Sequence, residues 1–191
     1  TLSLHDALPI CRFKRRVLKS PSGDQTRPTT DRAREAIFNL IVSRLDLHDA
    51  SVLDLFAGTG ALGLEAMSRG AGSLDCVEVS GQVLKVARDN MMSLDAQMRC
   101  RFIRSDVHSW LKTAKGRYRL ILADPPYALE EIEELPSRVI PLLAEDGLLV
   151  LEHDRKIRFE SHPFRIETRK YGKSAVSIFS SVQHTPSDHG T

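Results

Sequence analysis

At 191 residues the chain is near the size of one ordinary domain and long enough to bury a real core. A formal net charge of +2 points to no partner by itself, and no apolar run reaches the roughly 20 residues that a membrane span needs. Cys11, Cys76 and Cys100 are an odd number without metal-ligand spacing. They read as reduced thiols in a cytoplasmic protein, and no pattern calls for a metal.

Residues 1–10 lack the basic start and long apolar core of a secretory signal, and their pattern commits to neither helix nor strand. They read as a non-native leader, outside the fold. Arg12, Lys14, Arg15, Arg16 and Lys19 follow with no acid among them, interleaved with Phe13, Val17 and Leu18. Such a run is commonly a solvated face; it is equally the electrostatic footprint of a protein that grips a phosphate backbone. After a loop at 20–23, Arg27-Pro28-Thr29-Thr30-Asp31 opens a helix, with Thr29 or Thr30 as N-cap and Asp31 and Glu35 near its positive end. Ala33, Ile37, Leu40 and Ile41 make one apolar stripe, which leaves Arg32, Arg34 and Asn39 for the other faces. Residues 11–50 thus form a basic arm and helix packed on a catalytic domain at 51–182, with a flexible tail at 183–191.

From residue 51 strands and helices alternate, which predicts a parallel sheet covered on both faces. A strand over 52–56 runs into Ala57-Gly58-Thr59-Gly60-Ala61-Leu62-Gly63 and a helix reaching about residue 69. Glycines let the backbone turn sharply and approach a ligand closely. The next strand, 74–79, carries Glu78, about twenty residues beyond the turn, where an acid accepts hydrogen bonds from a ribose diol. This layout suits a dinucleotide or S-adenosylmethionine. The spacing Gly-Thr-Gly-Ala-Leu-Gly lacks the pyrophosphate pattern, and Asp54, just before the turn, repels phosphate but suits an ammonium or sulfonium group. Both features favour S-adenosylmethionine.

A helix over 81–94 and a strand over 99–104 come next, closed by Ser105-Asp106. Asp106 is placed to accept from an adenine amino group or to cap the helix that carries Trp110, and the two roles are compatible. Trp110 is assigned to the core. The strand over 118–123 delivers Asp124-Pro125-Pro126-Tyr127 to the carboxyl edge of the sheet, where open α/β folds bind ligands. Each proline fixes φ and removes an N–H, so this turn is stiff and its carbonyls remain acceptors. A carboxylate, a carbonyl and a ring face suit a planar base with an exocyclic amino group, although Pro-Pro alone is a common loop element. A helix with an acidic outer face is predicted over 130–143, a strand over 147–152, and a closing antiparallel pair over 165–171 and 174–180 around Gly172-Lys173.

Asp54-Leu55-Phe56-Ala57-Gly58-Thr59-Gly60 together with Asp124-Pro125-Pro126-Tyr127 resembles the class I S-adenosylmethionine-dependent methyltransferases that act on exocyclic amino nitrogens. The segment from Arg27-Pro28-Thr29-Thr30-Asp31-Arg32 through Arg34, Glu35, Phe38 and Asn39 narrows this to the RsmD family, which methylates guanine N2 in bacterial 16S ribosomal RNA. The resemblance covers residues 13–180; Arg15 stands where that family usually has glycine, and the family's first short strand is replaced by residues 1–10. It implies a Rossmann-like, mostly parallel seven-stranded sheet with an antiparallel last strand and helices on both faces. Asp124, Pro125, Pro126 and Tyr127 would be catalytic. Asp54, Phe56, Ala57, Gly58, Thr59, Gly60, Glu78 and Asp106 would hold S-adenosylmethionine, and Lys14, Arg15, Arg16, Arg27, Thr29, Arg32 and Arg34 would meet RNA. The implied partner is 16S ribosomal RNA within the small subunit or an assembly intermediate, engaged by a monomer with no membrane association. Three rivals share parts of this pattern: a DNA adenine-N6 methyltransferase, a glutamine methyltransferase with Asn in place of Asp124, and a non-catalytic RNA-binding module.

Overall fold

Aliphatic runs too apolar for a solvated face assemble into one sheet buried on both sides. The computed structural model describes residues 31–92 and 99–183. The leader, Cys11, the basic run with Lys14, Arg15 and Arg16, the segment with Arg27, Thr29 and Thr30, and residues 184–191 lie outside the described residues. The strands are β1 (Ser51–Leu55), β2 (Ser73–Glu78), β3 (Arg99–Arg104), β4 (Tyr118–Ala123), β5 (Leu143–Asp154), β6 (Arg165–Tyr171) and β7 (Ser174–Ser180). They form a seven-stranded sheet in the order β3-β2-β1-β4-β5-β7-β6. β1 to β5 pair in parallel, and β7 is antiparallel to both β5 and β6. This is the mostly parallel architecture with an antiparallel last strand that the sequence predicts. The order reverses between β1 and β4, so the switch point where such sheets bind ligands lies above those two strands.

Alternation along each strand divides the core. Val52, Leu74, Cys76, Leu120, Leu122, Leu148, Val150, Val176 and Ile178 face one side, under α1 (Asp31–Val42), α2 (Ala61–Ser68) and α3 (Gly81–Met92). Leu53, Leu55, Val77, Ile121, Ala123, Leu149, Leu151 and Phe179 face the other, under α4 (Val107–Leu111) and α5 (Leu135–Val139). Ile37, Leu40 and Ile41 bury the expected stripe of α1, and Phe38 is buried with them beneath the Arg69 guanidinium. Just beyond α1, Arg44 pairs with Glu167 of β6, and residues 43–50 lead into the start of β1. The helix therefore runs against the strands, with its amino end toward their carboxyl edge.

Charge enters the core where β2, β3 and β4 share it. Asp75 is buried; the Tyr118 hydroxyl donates to its Oδ2 at 2.6 Å and the Arg101 guanidinium pairs with both oxygens. Burial, then this hydrogen bond, pushes the Tyr118 hydroxyl up to about 12. Cys76 and Cys100 are free thiols; burial pushes both up, Cys100 to about 11.

Two predicted elements differ. The helix expected over 130–143 is broken into a 3-10 turn at Ile132–Glu134, α5, and a second 3-10 turn at Ile140–Leu142. Pro136 is tolerated in the first turn of α5, but Pro141 cannot continue the helical hydrogen bonds, and Glu131 enters at φ 61°. β5 begins at Leu143 rather than near 147, because Leu143 already pairs with Tyr118 before the register shifts. Gly147 permits that irregularity: a Cβ there would lie 2.8 Å from the Tyr118 carbonyl oxygen.

Candidate active site

The carboxyl edges of β1, β2, β4 and β5 each carry an acid on the same face of the sheet. Asp54 continues the row of Val52, Glu78 that of Leu74 and Cys76, Asp124 that of Leu120 and Leu122, and Glu152 that of Leu148 and Val150. Register places Asp54 opposite Cys76 and Leu122, so Glu78 and Asp124 stand two residues higher on either side of it.

Asp54 is only 1% exposed, and its Oδ2 accepts from the Gly63 N–H at 2.9 Å. Burial raises its pKa to about 7 against the lowering effect of that hydrogen bond, and the carboxylates of Asp124 and Glu78 raise it further. Asp54 thus pins the start of α2 from beneath the turn, because mid-strand alternation aims its side chain into the protein. Phe56 follows directly on β1. At φ 58° it ends β1 in a left-handed conformation and its ring packs on the opposite core.

The glycine turn is held from three sides. Gly58 N–H donates to Glu78 Oε2 at 3.0 Å, Ser80 N–H donates to Glu78 Oε1 at 2.8 Å, and the Asn90 amide donates to the Thr59 carbonyl at 3.2 Å. Ala57 N–H donates to the Val77 carbonyl and Gly60 N–H to the Ala57 carbonyl. Gly58 has φ 55° and no crowding around its missing Cβ; Gly60 has φ 79° and would bring a Cβ to 3.2 Å from that of Ala87. Carboxylates take the Gly58 and Gly63 N–H groups, and those of Ala57 and Gly60 donate to backbone carbonyls, so the turn surrounds an anion with negative charge and few donors. It suits a cation with a ribose, which separates it from a pyrophosphate-binding turn.

Asp106 caps α4, its Oδ1 accepting from the Ser109 N–H at 2.8 Å, which lowers its pKa; its side chain is exposed at the same edge. Trp110 packs partly buried on the second core cluster, as expected. Past β4, Pro125 is buried, whereas Asp124, Pro126 and Tyr127 are exposed, Tyr127 by 55%. The Pro126 carbonyl accepts from the Leu129 N–H at 2.9 Å, which makes the Pro125 carbonyl the better placed of the two for an incoming donor. Solvent reaches the Asp124 side chain, yet the protein behind it desolvates the carboxylate; this, then the charge of Glu152, raises its pKa to about 7.

The edge thus unites Gly58, Thr59, Gly60, Glu78, Asp106 and the Asp124 turn. Of the residues expected to meet RNA, Arg34 is half-buried in α1, and Arg32 is in that helix with its side chain outside what is described. Sequence reasoning did not single out Glu152 or Asn90. Leu149-Val150-Leu151-Glu152 repeats the pattern of Cys76-Val77-Glu78 and Leu122-Ala123-Asp124, an apolar strand ending on an acid, and that signal could have found Glu152.

A doubly wound sheet reversing at β1 and β4, with a cation-suited glycine turn beside a proline-stiffened acid, is the class I S-adenosylmethionine-dependent methyltransferase fold. Residues 11–180 match the family described as conserved hypothetical protein 95, and the chain belongs to this family, the RsmD family that its motifs resemble. It is 36% identical over 174 residues to YlbH of Bacillus subtilis (strain 168), provisionally named an rRNA methyltransferase, covering 87% of this chain and 94% of that one. It is 36% identical over 140 residues to ribosomal RNA small subunit methyltransferase D of Escherichia coli (strain K12), covering 73% and 67%. The solved structure of the Escherichia coli protein YhhF, provisionally named a methyltransferase, superposes with a TM-score of 0.69 at 31% identity, covering 81% of this chain and 86% of that one.

Proposed function

We propose that the protein transfers a methyl group from S-adenosylmethionine to the exocyclic N2 amino group of a guanine in 16S ribosomal RNA. The observation that carries this reading is the placement of Asp124 and the Pro125 carbonyl across the switch point from the glycine turn. Bound S-adenosylmethionine supplies a methyl group already activated on a sulfonium. Gly58 and Gly60 give it close approach, Glu78 has lone pairs left for a ribose diol, and Asp106 has an exposed oxygen for the adenine amino group. Asp54 supports the turn from below through the Gly63 N–H.

An aryl amine attacks poorly because its lone pair is delocalised into the ring. Asp124 and the Pro125 carbonyl accept its two N–H bonds and direct the lone pair toward the cofactor side, so positioning supplies much of the acceleration. Asp124 Oδ then receives the proton that the methylated nitrogen sheds, a transfer suited to a carboxylate whose pKa is about 7. Tyr127 stacks on a base held out of its helix or loop. Arg27, Thr29, Arg32 and Arg34 would meet RNA around the amino end of α1, and Lys14, Arg15 and Arg16 would contact phosphates. The substrate is the small subunit or an assembly intermediate, and the protein works as a monomer in the cytoplasm. The family match and the identity to small subunit methyltransferase D support this choice of RNA.

Tritiated S-adenosylmethionine is offered with unmodified small subunits, naked ribosomal RNA or duplex DNA, and the labelled nucleoside is identified after digestion. N2-methylguanosine from the ribosomal substrate is expected. Label confined to N6-methyladenine of DNA, or no label despite bound cofactor, overturns the reading.

A further inference from the structure

Glu152 has no place in the scheme above, and its surroundings ask for one. Ala123 pairs with Leu151, so Asp124 and Glu152 leave neighbouring strands at one level and on one face, about 5 Å apart along the sheet. Among the described residues Glu152 Oε2 is buried and makes no hydrogen bond. A buried acceptor without a donor is costly, and a second carboxylate beside it adds repulsion. Both costs fall if one ligand brings two adjacent donors. Glu152 lies on the β5 side of the Asp124 turn, whereas the glycine turn and Glu78 lie on the β1 and β2 side. It therefore borders the space left for the base rather than that left for the cofactor.

Among the four RNA bases only guanine presents two adjacent donors on its Watson–Crick edge, N1–H and the N2 amino group. Adenine and cytosine place a ring-nitrogen acceptor beside the amino group, and uracil offers one donor between two acceptors. We propose that Glu152 is a specificity-determining residue whose carboxylate accepts the N1–H of the target guanine while Asp124 holds the neighbouring amino group. An adenine in the same pose would point the N1 lone pair at the Glu152 oxygen. This inference rests on the guanine reading above and adds the means by which an Asp-Pro-Pro-Tyr turn could be barred from adenine.

The test uses small subunits reconstituted with 16S RNA that carries 2-aminopurine in place of the guanine labelled by the unaltered protein. 2-Aminopurine keeps the amino group but exchanges N1–H for a lone pair. The unaltered protein should methylate it at least about 100-fold more slowly in kcat/KM than guanine. Glu152→Gln should be slower on guanine and should close the gap to within about tenfold, because its amide can donate to N1 of 2-aminopurine. Its affinity for S-adenosylmethionine, read by calorimetry, should stay within about twofold. Equal rates of the unaltered protein on the two RNAs overturn the proposal without any variant. So does a Glu152→Gln protein that loses activity on both in proportion, or one that loses cofactor affinity, which would place Glu152 on the cofactor's ammonium instead. Failure of the guanine reading itself is distinct: the unaltered protein would then label no guanine in the first step.

Discussion

Asp54→Asn isolates the charge buried beneath the glycine turn. In the native protein the Asp54 carboxyl group keeps its proton up to about pH 7, against 3.8 for the ordinary group. Between those values the folded state binds the extra proton, so stability falls as pH rises through the window and levels off above it. Three units at about 1.4 kcal/mol each amount to roughly 4 kcal/mol. Asparagine mimics the protonated acid in shape and can still accept from the Gly63 N–H, but it carries no charge at any pH. The variant should therefore match the unaltered protein within about 1 kcal/mol near pH 4 and exceed it by roughly 4 kcal/mol at pH 8. Asp124 titrates in both proteins and drops out of the difference to first order. Urea unfolding followed by the single, partly buried Trp110 gives the free energies at pH 4, 5, 6, 7 and 8. Parallel curves for the two proteins would refute the assignment of a protonated acid at this position.

The rate of methylation should depend on the same chemistry at the exposed end of the site. Because the Asp124 pKa is raised to about 7, kcat/KM should climb with pH up to about 7 and then level; a flat profile from pH 5 to 8 would show that ionised Asp124 is not the acceptor. Asp124→Ala should lower kcat by about 100-fold or more while calorimetric affinity for S-adenosylmethionine changes by less than about threefold. Gly60→Ala forces a side chain into φ 79° and against Ala87, which should destabilise the protein by about 2 kcal/mol in urea and weaken cofactor binding with it. Tyr118→Phe removes the hydroxyl that donates to buried Asp75 and should cost about 1–3 kcal/mol in the same unfolding assay, with no change in cofactor affinity.

Most of the sheet was legible because its strands are apolar runs bounded by turn residues. The predicted bounds of β3, β4, β6 and β7 coincide with those observed. Local pattern went astray where one residue type carried two signals. Glu130, Glu133, Glu134 and the leucines around them look amphipathic, but Pro136 and Pro141 divide the segment, and hydrophobic spacing alone does not register the lost hydrogen bonds. Asp54 was legible as a neighbour of the glycines, whereas its burial was not. Its place in a central parallel strand, flanked by the buried Leu53 and Leu55, meant that its side chain had to enter one of the two cores. The Asp124 turn was readable because proline restricts the backbone locally. Glu152 needed strand register, a long-range property, to be seen as its neighbour.

The position of β7 has a consequence for biosynthesis. All seven residues of this strand are buried, and it lies between β5 and β6, yet the ribosome makes it after every other strand described. Until residues 174–180 leave the exit tunnel, the flank of β5 that carries Leu148 to Leu151 has its backbone donors and acceptors unmatched, and β6 has no neighbour at all. The nascent chain therefore carries an open apolar edge until this strand emerges, the kind of surface on which other unfinished chains add strands. Closing this edge waits on the β6–β7 hairpin, so vectorial synthesis leaves the sheet incomplete until that pair of strands has emerged.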